Sequence, residues 1–255
     1  MNVLLTNDDG VDAPGIDALY AELSTVADVT VVAPAEDQSG VGRSNSHTVE
    51  VDDHERGFVV HGTPCDCVAV GARTFDMEPD IVVAGCNDGP NFGAHKLDRS
   101  GTVAAAKEAV FLGIPGIAVS VYDPVDGVRS RFDREDFAQA ARVTRSLVEH
   151  AEAIDSGTYL NVNAPVSDGH PKVRITRPAR DFDVRIEDIE SDGNAIALVD
   201  EFYDPLRTDR PEPLDDPVGT DRRALADGEV SISPLGVAHE LRDTEIASKI
   251  PGAIR

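Results

Sequence analysis

Short apolar runs alternate with helix-like stretches through the first two-thirds of the chain, and this alternation limits the fold more than any other feature. The apolar runs cover residues 3–5, 29–33, 81–84, 117–120 and 159–162, and the helix-like stretches cover 16–23, 103–112 and 137–148. Short strands that are apolar on both faces and separated by helices are typical of a parallel sheet covered on both sides. The sequence therefore predicts an α/β fold with a doubly wound, mainly parallel sheet.

The pattern changes after about residue 180. Residues 183–187 and 195–201 flank a turn-like Ser-Asp-Gly-Asn segment at 191–194, which predicts a β-hairpin. An irregular, proline-containing and acidic segment at 204–217 precedes a further ordered run at 230–235. We therefore predict a sheet domain over residues 1–180 and a C-terminal hairpin extension over residues 181–255 that packs back on the core. Such an arm is typical of an oligomer contact, and an edge extension of the same sheet is the alternative.

The charge of the chain excludes two classes of partner. Lys and Arg number 23 against 47 Asp and Glu, and the resulting net charge of −24 repels both nucleic acid polymers and anionic membrane surfaces. Only 4 of the basic residues are Lys. An acid-rich, Lys-poor surface is typical of proteins in concentrated salt, because screening relieves the self-repulsion. We expect a halophilic source, and an ordinary acidic cytosolic protein is the alternative.

The start of the chain and its cysteines bear on the compartment. The first six residues lead at once into Asn-Asp-Asp at 7–9, without the basic and apolar segments of a signal peptide. No later run approaches the roughly 20 apolar residues of a membrane span. We therefore expect a soluble, cytoplasmic protein. The three cysteines lack the spacing of a zinc site, and we expect them to be reduced, mostly buried thiols.

Polar residues follow the first and third predicted strands of the sheet, where a doubly wound fold binds its ligand. Asp8 and Asp9 stand side by side after the first strand, and a hard divalent cation, Mg²⁺ or Mn²⁺, would relieve their repulsion. Asn87, in the Gly-rich loop after residues 81–84, offers a neutral amide oxygen to the same ion, and Asn91 offers N–H donors to an anion. An exposed turn and a purely structural loop are the alternatives.

Two further segments offer ligands of the same kinds. Ser100, Gly101 and Thr102 open a helix, whose free N–H groups and positive dipole end bind phosphate; simple capping of the helix is the alternative. Ser39 lies in a Gly/Ser loop after the second strand and could add a hydroxyl to the ion; a flexible loop is the alternative. The sequence has no P-loop, no dinucleotide fingerprint, no Gly-x-Ser-x-Gly elbow and no metal-ligand spacing of histidines.

Several long motifs stand in an order that is specific to one family. They are NDDGVDAPGI at 7–16, VVAP at 31–34 followed by QSGVG at 38–42, GTPCDCV at 62–68, SGTVAAA at 100–106, GTD at 219–221 and VSISPL at 230–235. Together they resemble the SurE (survival protein E) nucleotidases over nearly the whole chain. The resemblance implies a Rossmann-like domain and a phosphatase that uses one divalent metal ion to hydrolyse nucleoside monophosphates. It also implies a homodimer or homotetramer formed through the C-terminal hairpin.

The resemblance carries roles over to individual residues. The implied metal ligands are Asp8, Asp9, Ser39 and Asn87, and the implied phosphate contacts are Asn91, Ser100, Gly101 and Thr102. The chain departs from the usual family pattern at His61, Cys86, Asp88 and Arg99, and the hairpin has Ala195-Ile196-Ala197-Leu198 where the family often has aromatic residues. None of these departures falls on an implied metal or phosphate residue.

The motifs lead to a hypothesis for the chemistry. We expect Asp8, Asp9 and Asn91 to be catalytic, with Asp9 also close enough to orient or deprotonate the attacking water. The substrates are expected to be 5′-nucleotides, with 3′-nucleotides and short polyphosphate as further candidates. A non-catalytic nucleotide sensor and a phosphoreceiver-like Mg²⁺-binding signalling domain are the alternatives.

Overall fold

The computed structural model describes residues 1–74, 77–123, 132–182, 184–188, 196–200, 202 and 214–238. Within these residues the chain forms eleven strands and six α-helices. The strands are β1 (Asn2–Thr6), β2 (Asp28–Pro34), β3 (Val51–His54), β4 (Gly57–Val60), β5 (Ile81–Asn87), β6 (Gly116–Tyr122), β7 (Thr158–Pro165), β8 (Val173–Ile175), β9 (Val184–Asp188), β10 (Ile196–Asp200) and β11 (Val230–Gly236). The helices are α1 (Pro14–Leu23), α2 (Pro64–Arg73), α3 (Ala94–Leu97), α4 (Gly101–Phe111), α5 (Ala138–Val148) and α6 (Asp221–Ala226).

Nine of these strands form one sheet in the order β3-β4-β2-β1-β5-β6-β7-β11-β8. Its six central strands, β4, β2, β1, β5, β6 and β7, run parallel to one another. Each of the five predicted strands of the sheet lies within an observed one, and the predicted doubly wound, mainly parallel sheet is confirmed. The chain winds away from β1 toward β2 and then crosses to β5 on the other side, so the topological switch point lies between β1 and β5.

The alternation of side chains along β1 explains why both faces of the sheet carry helices. Val3 and Leu5 point to one face and belong to a buried cluster that includes apolar residues of α1 and α5. Leu4 points to the other face and belongs to a second cluster with apolar residues of α2 and α4. A strand buried on both faces reads as a continuous apolar run, which is the pattern that predicts the fold.

Residues after 180 contribute both a separate hairpin and part of the main sheet. Strands β9 and β10 pair antiparallel, as the sequence predicts, and the predicted hairpin tip lies outside the described residues. Strand β11 then returns to the main sheet, where it pairs antiparallel with β7 and parallel with β8. The hairpin carries exposed apolar side chains on one face: Val184, Ile186, Ile196 and Leu198.

The three cysteines are buried thiols, as predicted. Burial raises the pKa of each of them, to about 12 at Cys65, which keeps them protonated and unreactive at neutral pH. Within the described residues, no helix combines the length and apolar character needed to cross a membrane.

Candidate active site at the switch point

The switch point brings the ends of β1 and β5 together. The two strands pair in register, with Thr6 opposite Ala84, and both are followed or ended by polar residues at the same edge. Asp8 and Asp9 come directly after β1, whereas Asn87 is the last residue of β5. Asn87 was expected in a loop, and its place on the strand fixes its backbone beside β6.

Thr102 connects the predicted metal ligands of the two strands. Its Oγ1 lies 2.5 Å from Oδ1 of Asp8 and 3.2 Å from Oδ1 of Asn87, and the backbone of Thr102 also hydrogen-bonds to Asp8. Thr102 is fully buried and Asp8 is only 2% exposed, so this contact is held away from water. One hydroxyl hydrogen serves two acceptor oxygens here, which leaves both oxygens with capacity for a cation.

The two neighbouring carboxyl groups are held where their charge is unfavourable. Burial raises the pKa of Asp8 above its usual value, although hydrogen bonds from Thr102 oppose the shift. Burial, followed by the charge of Asp8, raises the pKa of Asp9 to about 7. Close carboxylates in a poorly solvated position are stabilised by a cation, and the donor set of carboxylate, amide and hydroxyl oxygens suits Mg²⁺ or Mn²⁺. The residues present therefore fit a divalent ion.

The rest of the donor set is neutral. Among the described residues, no group of three or more His, Cys, Asp or Glu side chains gathers as a metal site. The candidate site instead combines the two carboxyl groups with the neutral side chains of Asn87 and Ser39. Asn7, which precedes Asp8 in the chain, donates to the carbonyl of Gly10 at 2.7 Å, while its own buried Oδ1 has no hydrogen-bond partner within the described part of the chain.

The first turn of α4 approaches Asp8 too closely for any side chain at position 101. A Cβ on Gly101 would lie 2.8 Å from Oδ2 and 2.9 Å from Cβ of Asp8, so only glycine allows the helix to start there. Ser100 is the N-cap, and its Oγ accepts a hydrogen bond from the Val103 N–H at 3.1 Å. Ser100 therefore caps the helix, which is the alternative role given for it above. It also borders the cavity described next, and Thr102 faces Asp8.

A cavity of about 530 Å³ opens in front of these groups. Its lining includes Asp8, Ser39, Asn87, Asn91 and Ser100, together with the basic side chains of Lys96 and Arg99. Ser39 is exposed on the rim, where its backbone N–H donates to Oδ1 of Asp37 at 2.7 Å. Asp9 instead lines a neighbouring cavity of about 540 Å³, with further acidic residues at 12, 36, 37 and 88. Both cavities also include Asp88, so they adjoin.

Asn91 is held in the first cavity by residues that the sequence does not single out. Its N–H donates to Oδ1 of Asn163 at 2.8 Å, and its carbonyl oxygen accepts from Asn161 at 2.9 Å and from Asn163 at 2.8 Å. Its own amide group donates to Oγ of Ser120 at 3.1 Å. The alternation of two asparagines within an otherwise apolar strand could have indicated them, since Asn is uncommon in strands.

A second anchor for the same loop comes from far along the chain. The fully buried carboxylate of Asp221 accepts hydrogen bonds from the N–H groups of Gly93 at 2.7 Å and of Ala179 at 2.8 Å. Gly93 itself packs against the ring of Phe202, at a distance that leaves no room for a Cβ. Only the GTD motif pointed to Asp221 in the sequence, and nothing there indicated its contact with the loop after β5.

Comparisons with known proteins find relatives of this chain in both sequence and structure. The family model described as "Survival protein SurE" matches residues 3–183. A protein named 5′-nucleotidase SurE from Natronomonas pharaonis is 51% identical over 94% of this chain and 94% of its own length. Another of the same name from Haloarcula marismortui is 46% identical over 97% and 93%. The crystal structure of the SurE protein from Aquifex aeolicus superposes with a TM-score of 0.79 and 32% identity, over 99% of both chains.

Proposed function

The chain belongs to the SurE family, and from that membership we propose that it is a 5′-nucleotidase that hydrolyses nucleoside monophosphates to nucleoside and phosphate, using one divalent ion, Mg²⁺ or Mn²⁺. The observation that carries the proposal is the pair of adjacent carboxyl groups of Asp8 and Asp9, held at the switch point beside a polar cavity. The 530 Å³ of that cavity are of the size expected for a small-molecule site.

The residues that would hold the ion are Asp8, Asp9, Ser39 and Asn87. A divalent ion there would polarise a phosphoryl oxygen and lower the pKa of a coordinated water. Asp8 is positioned for this by Thr102 and by the close approach of Gly101. Asp9 is less deeply buried than Asp8, and its carboxylate would orient the attacking water or take its proton.

The substrate phosphoryl group would lie in the same cavity as the ion, which Asn91 and Ser100 also line. The Asn91 amide has two N–H bonds, of which one donates to Ser120, and the other would donate to a phosphoryl oxygen. Ser100, Gly101 and Thr102 lie at the start of α4, where the positive end of the helix dipole would favour the same anion. Lys96 and Arg99 add positive charge to the cavity lining. This local charge would attract a phosphate despite the negative potential of the surrounding acidic protein.

The decisive experiment is the release of inorganic phosphate from AMP and GMP in molar KCl, with and without Mn²⁺ or Mg²⁺. We expect release only with metal, and a loss of at least a hundredfold in kcat/KM for Asp8→Asn, because the amide cannot replace the charge that holds the ion. Asp155→Asn is the matched control, since Asp155 is an exposed carboxyl outside both cavities and should keep wild-type activity.

Two outcomes would overturn the proposal: no metal-dependent release by the wild-type protein, or full activity in Asp8→Asn. Tight nucleotide binding without turnover would support the nucleotide sensor instead. The same assay with 3′-AMP and with short polyphosphate shows whether the protein also hydrolyses these compounds, independently of its activity on 5′-nucleotides.

The exposed face of the hairpin supports a homodimer or homotetramer. Leu198 and Ile186 lie directly across from each other on β10 and β9, and they are 69% and 54% exposed. A cluster of exposed apolar side chains on one face is typical of a surface that another chain covers. We expect Leu198→Asp to lower the mass measured by sedimentation in molar salt, whereas Glu187→Ala on the opposite face leaves it unchanged. An unchanged mass for Leu198→Asp would contradict this assignment of the contact.

A further inference from the structure

A row of polar residues crosses the sheet beside the candidate active site. Asn87 of β5 pairs in register with Ser120 of β6, and Ser120 pairs with Asn163 of β7. Because side chains at paired positions point to the same face, this row places three polar groups on the α4 side of the sheet. Asn161 precedes Asn163 by two residues and points to that face as well. Ser120 and both asparagines are fully buried.

The polar groups of this row converge on Asn91. The two amide groups of β7 make three hydrogen bonds with the backbone of Asn91, all between 2.8 and 2.9 Å. The Oγ of Ser120 accepts a fourth hydrogen bond, from the side-chain amide of Asn91 at 3.1 Å. Both backbone groups and one side-chain N–H of Asn91 are therefore fixed by strands of the rigid sheet, although Asn91 itself lies in a loop.

Asn161 makes this arrangement at a cost to stability. Its Nδ2 donates to the carbonyl of Asn91, but its buried Oδ1 has no hydrogen-bond partner among the described residues. A buried acceptor without a partner destabilises a protein, and an apolar side chain of similar shape removes that cost. A side chain selected for stability alone would therefore be apolar here, which indicates that the donor bond to Asn91 has another role.

We propose that Asn161 and Asn163 are positioning residues for the phosphatase reaction, which hold Asn91 so that its amide donates to the phosphoryl group. The inference rests on the proposed function and assigns the row across β5, β6 and β7 a part in it. The two side chains act through Asn91, so their effect is on the binding of the phosphoryl group in the ground and transition states and not on the metal.

The first test compares activity with stability in Asn161→Leu, assayed with AMP and Mn²⁺ in molar KCl. We expect kcat to fall about 10- to 100-fold and the inhibition constant for inorganic phosphate to rise, while the half-saturating Mn²⁺ concentration changes less than twofold. The thermal unfolding midpoint should equal or exceed that of the wild type, because the unpartnered Oδ1 is removed. A purely structural role predicts the reverse: a lower midpoint with unchanged kcat.

The second test asks whether the effect passes through Asn91. We expect Asn91→Ala/Asn161→Leu to be no less active than Asn91→Ala alone, since residues that act as one unit have non-additive effects. Asn163→Leu, if it folds, should show the same coupling. Ser231→Ala is the matched control: Ser231 is the fully buried register partner of Asn163 on β11 and hydrogen-bonds Thr176 instead, so its loss should leave kcat unchanged.

The outcomes separate the inference from the function on which it rests. A wild-type protein without metal-dependent phosphatase activity would overturn the proposed function. An active wild type with an Asn161→Leu variant of unchanged kcat and phosphate inhibition would overturn the inference alone. Additive losses in the double variant would also overturn it, since they would show that Asn161 does not act through Asn91.

Discussion

The hydroxyl of Thr102 lies 2.5 Å from Oδ1 of Asp8 and also reaches Asn87. We expect Thr102→Val, which keeps the shape and removes the hydroxyl, to weaken Mn²⁺ binding about 10- to 100-fold, because residues that orient metal ligands have effects of this size. Metal titrations of phosphate release measure the change. Thr102→Ser keeps the hydroxyl and should remain within a few-fold of the wild type; equal losses in the two variants would contradict this role.

At position 101, the effects of a substitution on the helix and on the site have opposite signs. Gly101→Ala raises the helix propensity of α4 by about 1 kcal/mol, but its Cβ would approach Asp8 to 2.8 Å. We therefore expect activity to fall at least tenfold while the free energy of unfolding changes by less than about 2 kcal/mol. Steady-state kinetics and urea unfolding of one preparation measure both. Gly157→Ala, where a Cβ meets nothing within 4 Å, is the control and should leave activity unchanged.

Among the elements, the short strand β8 pairs with β11 and is also joined by an ion pair to Glu229, the residue just before β11. Arg174 donates two hydrogen bonds to the carboxylate of Glu229, one of them at 2.8 Å from Nη2. These bonds outweigh the effect of burial and hold the pKa of Glu229 below its usual value. A carboxyl group of this kind stabilises the fold above its unfolded-state pKa of about 4.3, and the contribution is lost as the pH falls through the folded-state pKa.

Glu229→Gln should therefore be less stable than the wild type at pH 7, and the difference should shrink as the pH falls below about 4.3. Urea unfolding across this pH range in molar KCl measures it. Glu152→Gln changes an exposed carboxyl and should show no such pH-dependent difference. A difference between Glu229→Gln and the wild type that stays constant with pH would show that the ion pair is not its source.

The elements also show how far the sequence predicts the fold. Both-face apolar runs identify β1, β2, β5, β6 and β7, because strands between two helix layers have few other compositions. The pattern does not identify β3, a largely exposed edge strand with Asp52 and Asp53, since three of its four residues are polar. The apolar pattern does not identify helix α2 either. Its start signature is a capping box formed by Thr63 and Asp66, together with Pro64 in the first turn.

The sequence likewise predicts some residues of the candidate site and not others. Residues that follow a strand, such as Asp8 and Asn91, were found because the carboxyl ends of parallel strands meet at one edge. The supporting residues Asn161, Asn163 and Asp221 come from strands and helices far along the chain. Their contacts with the loop after β5 depend on sheet order and register, which the spacing of residues in a single sequence does not determine.

The net charge of −24 determines how the stability of the whole molecule depends on salt. Repulsion among so many carboxylates destabilises the compact state in dilute buffer, and salt screens it, since the Debye length falls from about 10 Å at 0.1 M to about 3 Å at 1 M. The relatives from Natronomonas and Haloarcula are proteins of halophilic archaea, which agrees with the halophilic composition expected from the sequence. We expect the unfolding midpoint to rise by about 10 °C or more between 0.1 and 2 M KCl.

Thermal scans over this range of KCl test the salt dependence. Neutralising exposed acids near the acidic edge strand, with Glu50→Gln, Asp53→Asn and Glu55→Gln together, should lower the salt concentration needed for half of the gain. Full stability at 0.1 M KCl would mean that the acidic surface is not an adaptation to salt.

The contact between Asp221 and Gly93 joins residues that are 128 positions apart, and β11 joins the sheet only after them. Proteins are synthesised from the N-terminus, so the loop after β5 leaves the ribosome long before the carboxylate that fixes it. A nascent chain stalled after residue 180 would carry Asp8, Asn87 and Asn91 but lack this anchor. We therefore expect such a chain to be inactive, so that the enzyme begins to hydrolyse nucleotides only near the end of its own translation.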